Sequence, residues 1–384
     1  MNESATPQFG AFAATNTGTN QFATTTRNNL IIWKICTIAI LILGALIPLG
    51  MISGLIYERQ SRKDEVTKQI SANWGGKQTI LGPVLVLPYQ RLYGRTNENG
   101  EKETKVMVER AYLFPRQYTA NSDIKSEIRH RGMYNATVYT SNIAATGQFN
   151  LDDLQELKIP FDKINWNDAF VVMTIPQPKS LQAPPNLQWQ GHAQEMFPGT
   201  NGSNFFDTGL YAPVTCNQDS KTIPFTLKLV LKGSESFSLV PIGKENKLQI
   251  SSDWKTPSFT GSISPTNRNV SATGFTAEWQ IPYFARSYSQ AFTDTSEKLH
   301  TAINDSQVGV DFYSPVDFYR QAERAIKYGI LFLTLTFSTY FLFEVIGKVK
   351  VHPLQYLLVG SALCLFYLLL LALSVSVRAT PWLN

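Results

Sequence analysis

The sequence predicts a mixed protein: α-helical transmembrane segments carrying a large, mainly antiparallel β domain of sandwich type. Three observations predict it. Three long runs, 35–56, 328–346 and 354–377, are free of charge or nearly so. Between the first and second runs the hydrophobic pattern changes to period two, with turn residues at short intervals. Aromatic residues make up 12% of the chain, which suits a β-rich core and the aromatic belts of membrane interfaces.

The run 354–377 is uncharged and dominated by leucine. A helix rises ~1.5 Å per residue, so ~20 residues cross a ~30 Å hydrocarbon core. Leu, Val and Phe each favour insertion by roughly 0.3–0.6 kcal/mol. The preceding span, 328–347, is interrupted only by Glu344. Near a helix end that carboxylate reaches the headgroup region, and Lys348, four residues on, is placed to pair with it. The connector from Gly347 to Pro353 is short and basic, so the two runs form a transmembrane hairpin.

Taken in order, residues 1–29 are Thr, Asn, Ala, Gly and Phe with few aliphatic side chains, which predicts a disordered tail. Residues 30–57 are the first transmembrane helix, too long for a signal-peptide core of ~7–15 residues. Pro48 is expected to kink it, and Gly50 and Gly54 form a small-x-x-x-small pair suited to close helix contact. Residues 58–74 read as a juxtamembrane helix with Val66 and Ile70 on one side.

The β domain spans 75–313. Leu81 to Pro88 reads as a short buried strand bracketed by prolines. Lys105 to Phe114 is a strand preceded by an Asn99-Gly100 turn. Met133 to Asn150, Asp168 to Ile175, Ser236 to Ile242, Lys247 to Ser252, Ser258 to Ser262 and Ser271 to Gln280 are further strands. The clearest is Phe225 to Lys232, with Phe225, Leu227, Leu229 and Leu231 on one face and Thr226, Lys228 and Lys232 on the other. The Pro- and Gln-rich stretch from Gln177 to Asn204 is expected to be a connector that splits the domain into two lobes. Ser314, Pro315 and Asp317 start a juxtamembrane helix, 314–327, by capping, first-turn and dipole preferences. No breaker is apparent before Tyr328, so this helix should run straight into the second span.

Several function classes find no support in these residues. A net charge of +5 is small and scattered, and no basic stripe suggests nucleic acid. Cys36, Cys216 and Cys364 form no disulfide framework. The histidines His130, His192, His300 and His352 are far apart, without metal-ligand spacing. No P-loop, GxGxxG or GxSxG occurs; Gly75-Gly76 reads as a turn and Asp152-Asp153 as a helix cap, with one helical turn following to Leu157. The sequence therefore points to no catalytic, cofactor or metal residues. The most notable ionisable pair is His352 with Glu344, more in keeping with interface anchoring than with a proton-linked switch.

These residues resemble the CreD family of bacterial inner-membrane proteins. The likeness is strongest over 317–373, at Ala325-x-Lys327-Tyr328 and at His352-Pro353-x-Gln355-Tyr356-Leu357-Leu358-Val359-Gly360. It returns at Glu58-Arg59, Gly82-Pro83 with Pro88, Trp254 with Pro257-Ser258-Phe259-x-Gly261, and Gly274-Phe275 with Trp279. The resemblance implies a periplasmic domain between the first and second helices and a role in envelope integrity and stress response. Family members continue with further membrane helices, so residues 378–384 read as the end of a truncated chain.

Counting Lys and Arg beside the spans leans against that topology. Arg27 and Lys34 precede the first helix, while Arg59, Arg62, Lys63 and Lys68 follow it. The expectation of a cytoplasmic N-terminus therefore rests on the resemblance. The expected partners are the membrane and an envelope protein. A competing expectation is a sensor or transport accessory whose β domain binds a lipid or glycan.

Overall fold

The computed structural model describes residues 19–96, 102–132, 134–218, 220–294, 297–312, 318–348 and 351–379. Two compact units divide the chain: Met1–Arg62 with Asp317–Asn384, and Lys63–Val316.

Helix α1 (Thr19–Asn73) contains the first apolar run and continues through Pro48 and the charged stretch beyond it. It corrects the expected tail boundary: residues 19–29 are helical, because a helix already nucleated by an apolar run extends at little cost. Residues 1–18 lie outside the described residues. At the far end Gly75 and Gly76 take φ of 107° and 67°, and the Gly76 N–H donates to the Ser71 carbonyl at 2.7 Å. The glycine pair is thus the turn that terminates the helix.

In the second unit β1 (Gln78–Thr96) and β2 (Lys102–Leu113) form a long hairpin, paired from Leu85↔Leu113 to Thr96↔Lys102. The Asn99-Gly100 turn lies outside the described residues. β1 does not stop at Pro88 as expected. Pro88 lies beyond Val86↔Phe170, the last pair with β5 (Phe170–Thr174), so on that edge its missing N–H interrupts no ladder. β3 (Gln117–Arg131) and β4 (Tyr134–Asn150) form a second hairpin. β3 escaped the sequence reading because Lys125, Glu127, Arg129 and Arg131 obscure the inward Tyr118, Ala120 and Ile124. The helical turn after β4 is the 3-10 segment Leu151–Leu157. Its cap is Asn150, which accepts from the Asp152 N–H, and not Asp152-Asp153.

The stretch 177–204 corrects another expectation. It supplies β6 (Asn186–Trp189), β7 (His192–Gln194) and β8 (Phe197–Pro198) instead of dividing the domain. Leu187 and Trp189 are buried while Asn186 and Gln188 are exposed, a period-two pattern hidden among polar residues. β9 (Leu210–Pro213) and β10 (Thr222–Ser234) follow. In β10 Phe225, Leu227, Leu229 and Leu231 are buried and Lys228 is exposed, as the alternation predicts. The remaining elements are β11 (Ser236–Leu239), β12 (Glu245–Ser252), β13 (Ser258–Gly261), β14 (Asn267–Ser271), β15 (Gly274–Pro282), β16 (Ala291–Thr293), α2 (Glu297–Asp305) and β17 (Val308–Asp311). β14 and α2 were not expected from the sequence.

Two sheets result. One has nine strands, in the order β13-β17-β11-β1-β5-β9-β8, with β2 and β16 continuing from β1. The other has eight, in the order β14-β15-β12-β3-β4-β10-β6-β7. Pairing is antiparallel except for β1 with β11 and β3 with β12. Side chains from both sheets share one core, whose largest fully buried members include Trp189, Trp279, Tyr112, Tyr118 and Tyr139. The extramembrane domain is mainly antiparallel sheet, as the sequence predicts.

In the first unit α3 (Phe318–Lys327), α4 (Gly329–Gly347) and α5 (Pro353–Ala379) complete the helices. The expected cap residues Ser314, Pro315 and Asp317 lie outside the described residues. α3 runs on into α4 as expected: at Tyr328, the one residue between them, the N–H still donates to the Arg324 carbonyl at 3.3 Å and the carbonyl accepts the Phe332 N–H at 3.2 Å. Gly329 lies under the Tyr367 ring, where an added Cβ would sit 3.1 Å from the ring. Among the described residues three helices are long and apolar enough to cross a membrane: Ile32–Asn73, Arg320–Gly347 and Pro353–Ala372.

Candidate functional site

Each membrane helix turns one stripe toward its neighbours. On α4 the buried residues are Gly329, Leu333, Phe337 and Glu344. Tyr356, Gly360, Tyr367 and Leu371 form the stripe on α5, and Leu49, Ile52 and Ile56 that on α1. Spacings of three, four and seven keep each set on one helix face. Gly360 packs beneath Phe337, with 3.2 Å from an added Cβ to the ring. Gly50 and Gly54, the expected contact pair, have nothing within 4 Å of an added Cβ. In this chain it is Gly329 and Gly360 that admit close packing, because each faces a ring that needs the space.

The stripe on α4 ends in a carboxylate that is 7% exposed. Glu344 is bonded to the Lys34 ammonium on α1, accepts the Val351 N–H at 3.2 Å and accepts the Tyr356 hydroxyl at 3.4 Å. This corrects two expectations. The cation that meets Glu344 is Lys34 and not Lys348, because Lys348 takes φ of 50° as the cap of α4, where the helix ends. His352 does not meet Glu344 either. Its Nδ1 accepts the Leu354 N–H at 3.2 Å, capping α5, and its ring is exposed. Pro353 then takes the first helical position, where a missing N–H costs nothing. The His-Pro-x-Gln-Tyr motif therefore starts α5 and delivers the Tyr356 hydroxyl to Glu344. A buried carboxylate in a membrane helix is costly unless paired and hydrogen-bonded, and here one group joins α1, α4 and α5.

In the β unit the end of α1 is clamped. The Arg129 guanidinium and the Lys232 ammonium both lie over Trp74, each 4.6 Å from a ring centroid. Its Nε1–H donates to the Tyr139 carbonyl at 3.2 Å, and Arg131 donates to Gln69 at 2.9 Å. Val66 and Ile70 are half-buried, while their neighbours Glu65 and Lys68 are exposed.

A buried ion cluster sits where β2 meets β3. Asp153, 3% exposed, accepts from Arg116 at 2.7 Å and Lys244 at 2.8 Å. Burial works against its carboxylate, but the hydrogen bonds and charges of Arg116 and Lys244 outweigh it and hold the carboxyl below its usual range. Nearby, the Arg286 guanidinium lies over the rings of Tyr288, Tyr283 and Phe114 and donates to Gln290. The Asp153 carboxylate is satisfied, whereas Nε and Nη1 of Arg286 are buried without a hydrogen-bond partner among the described residues and face aromatic rings instead.

The third feature is the corner built from 254–279, where the residues of the family likeness come together. Phe259 lies 5.6 Å from Phe275 and 6.2 Å from Trp279, and Trp279 Nε1–H donates to the Ile263 carbonyl at 3.1 Å. Gly274 has φ of 144° with Ser252 O only 2.1 Å from an added Cβ, so the β14–β15 turn requires glycine. Beside this corner runs an open groove of about 650 Å³, lined by Lys255, Thr256, Pro257, Phe259, Ser264, Pro265, Arg268 and Val270.

The histidines are not brought together. His130 pairs with Asn135 at 2.7 Å, and His300 stacks on Phe205 at 3.9 Å between centroids. Burial pushes the Cys216 thiol up to about 12, far from a reactive thiolate. Among the described residues no group of three or more His, Cys, Asp or Glu could hold a metal ion.

Three comparisons bear on this arrangement. The sequence profile of the family described as inner membrane protein CreD matches residues 30–379. The inner membrane protein CreD of Escherichia coli (strain K12) is 31% identical over 343 residues, which is 89% of this chain and 75% of that protein. Crystal structures of an M1 zinc metallopeptidase from Deinococcus radiodurans align at 8–9% identity over 52% of this chain and 42% of theirs. Their TM-score is 0.23, a value from which no shared fold is drawn.

Proposed function

The chain belongs to the CreD family of inner membrane proteins, and from that premise we propose that it supports the cell envelope under stress, without catalysis, through a β domain on the periplasmic side that binds an envelope protein. The observation that carries this reading is the continuity of α1. One helix begins in an apolar span and ends under Trp74 against the sandwich. A span joined directly to the sandwich by one helix suits a domain that works tethered to the membrane. The envelope role itself comes from the family resemblance, and fold alone does not supply it.

In this reading the chain is multi-pass, with its N-terminus and the Gly347–Pro353 loop cytoplasmic. Arg59 and Arg62 are exposed and contribute to the partner surface. The experiment is complementation of a deletion strain under detergent or cell-wall-antibiotic stress. Reversing the charge of Arg59 and Arg62 should weaken rescue while the amount of protein in the membrane stays the same. A deletion strain without any envelope defect would end the proposal.

A further inference from the structure

The eight-stranded sheet begins at β14, which pairs with β15 and with no other strand among the described residues. All its residues are exposed. An unpaired strand edge offers backbone N–H and C=O groups to any extended segment. Successive side chains point to opposite faces, and here each face opens into a different groove. Arg268 and Val270 line the groove of about 650 Å³. Asn269 and Ser271 line a second one of about 270 Å³.

The two grooves differ in chemistry. The larger brings Lys255 and Arg268 together with Phe259, Val270 and two prolines, and among the described residues no carboxylate lines it. The smaller is walled by Ser251, Thr273 and Thr276 with Asp123 and Asp253, and Lys125 as its one cation. Asp253 already accepts from the Ser126 N–H at 2.8 Å and the Ser126 hydroxyl at 2.7 Å. The first favours an acidic or apolar side chain. The second disfavours an acid and suits small hydroxyl groups.

We propose that β14 is a docking edge for an extended segment of a partner protein, which adds to the sheet as a further strand. Alternate side chains of that segment are acidic or apolar and enter the larger groove, and those between them are small and polar and enter the smaller one. Main-chain hydrogen bonds supply affinity, and the alternating grooves supply specificity. Lys255 and Arg268 repel basic strands, so the edge selects its partner and resists indiscriminate pairing. This proposal rests on the reading of the β domain as partner-binding. The two fail separately, since stress complementation tests the envelope role and peptide titration tests only this edge.

The probe is a fluorescein-labelled synthetic peptide in which threonine alternates with glutamate and valine, titrated by anisotropy against the full-length protein in detergent micelles. The expected result is saturable binding that weakens with salt, falls by about tenfold in Arg268→Glu, and is lost when the peptide's alternate amides are N-methylated. Arg268 is exposed, so the substitution leaves the fold intact, which circular dichroism checks. Absence of saturable binding, or unchanged affinity after either alteration, overturns the proposal.

Discussion

Asp153 shows what a single side chain decides here. Its folded pKa lies below the unfolded value of about 4. A carboxyl shifted this way stabilises the fold above that value, and the contribution disappears as pH falls through the folded pKa. Asp153→Asn should therefore flatten the acid limb of the stability curve below about pH 4. At neutral pH it should cost about 2 kcal/mol, less than the ~3–5 of a fully buried pair, because Arg116 is 41% exposed. Denaturant unfolding of the detergent-solubilised protein, followed by tryptophan fluorescence across pH, measures both. An acid limb as steep as in the parent protein would show that another group controls it. Nothing in the Asp152-Asp153 dipeptide announces this role. The carboxylate acquires its partners from residues 37 and 91 positions away.

At the scale of elements, Glu344 couples α1, α4 and α5 through side chains separated by up to 310 positions. Replacing Lys34 by Glu leaves two carboxylates facing each other, and replacing Glu344 by Lys leaves two ammonium groups. Each single change should destabilise the helix bundle by about 3 kcal/mol, the cost of stranding a buried charge. The double exchange, Lys34→Glu with Glu344→Lys, should recover much of the loss. Thermal aggregation in detergent reads this, and a double variant no better than the worse single one would rule out the pair as a lock. Gly360 is subject to a related constraint, since any side chain there would displace Phe337.

For the whole molecule, the question is which side of the membrane the β unit occupies. Charge counting beside the first span leans against a periplasmic β unit, but that bias weakens for long translocated domains. Protease added to spheroplasts should cut within 63–316 while the Gly347–Pro353 loop stays protected. Protection of the β unit would reverse the topology and with it the proposed site of action.

The parts of the fold whose information is local were readable along the chain. Long apolar runs, broken only by Glu344 in the second, specified the three spans, and strict alternation specified the two faces of β10, because each depends on residues within a turn or two of one another. The glycine turn after α1 was legible for the same reason. β3, β6 and α2 were not, since polar and charged residues conceal their inward side chains until a neighbouring strand or core defines which way is in, and β7, β8 and β14 have no buried side chain to mark them. It took the folded chain to establish that Lys34 and not Lys348 meets Glu344, that Gly329 and Gly360 and not Gly50 and Gly54 admit close packing, and that β14 stands at an open edge between two grooves. Each of these is a choice among distant partners of similar chemistry. Such choices turn on which groups the fold brings within a few ångströms, a distance that spacing along the chain does not contain.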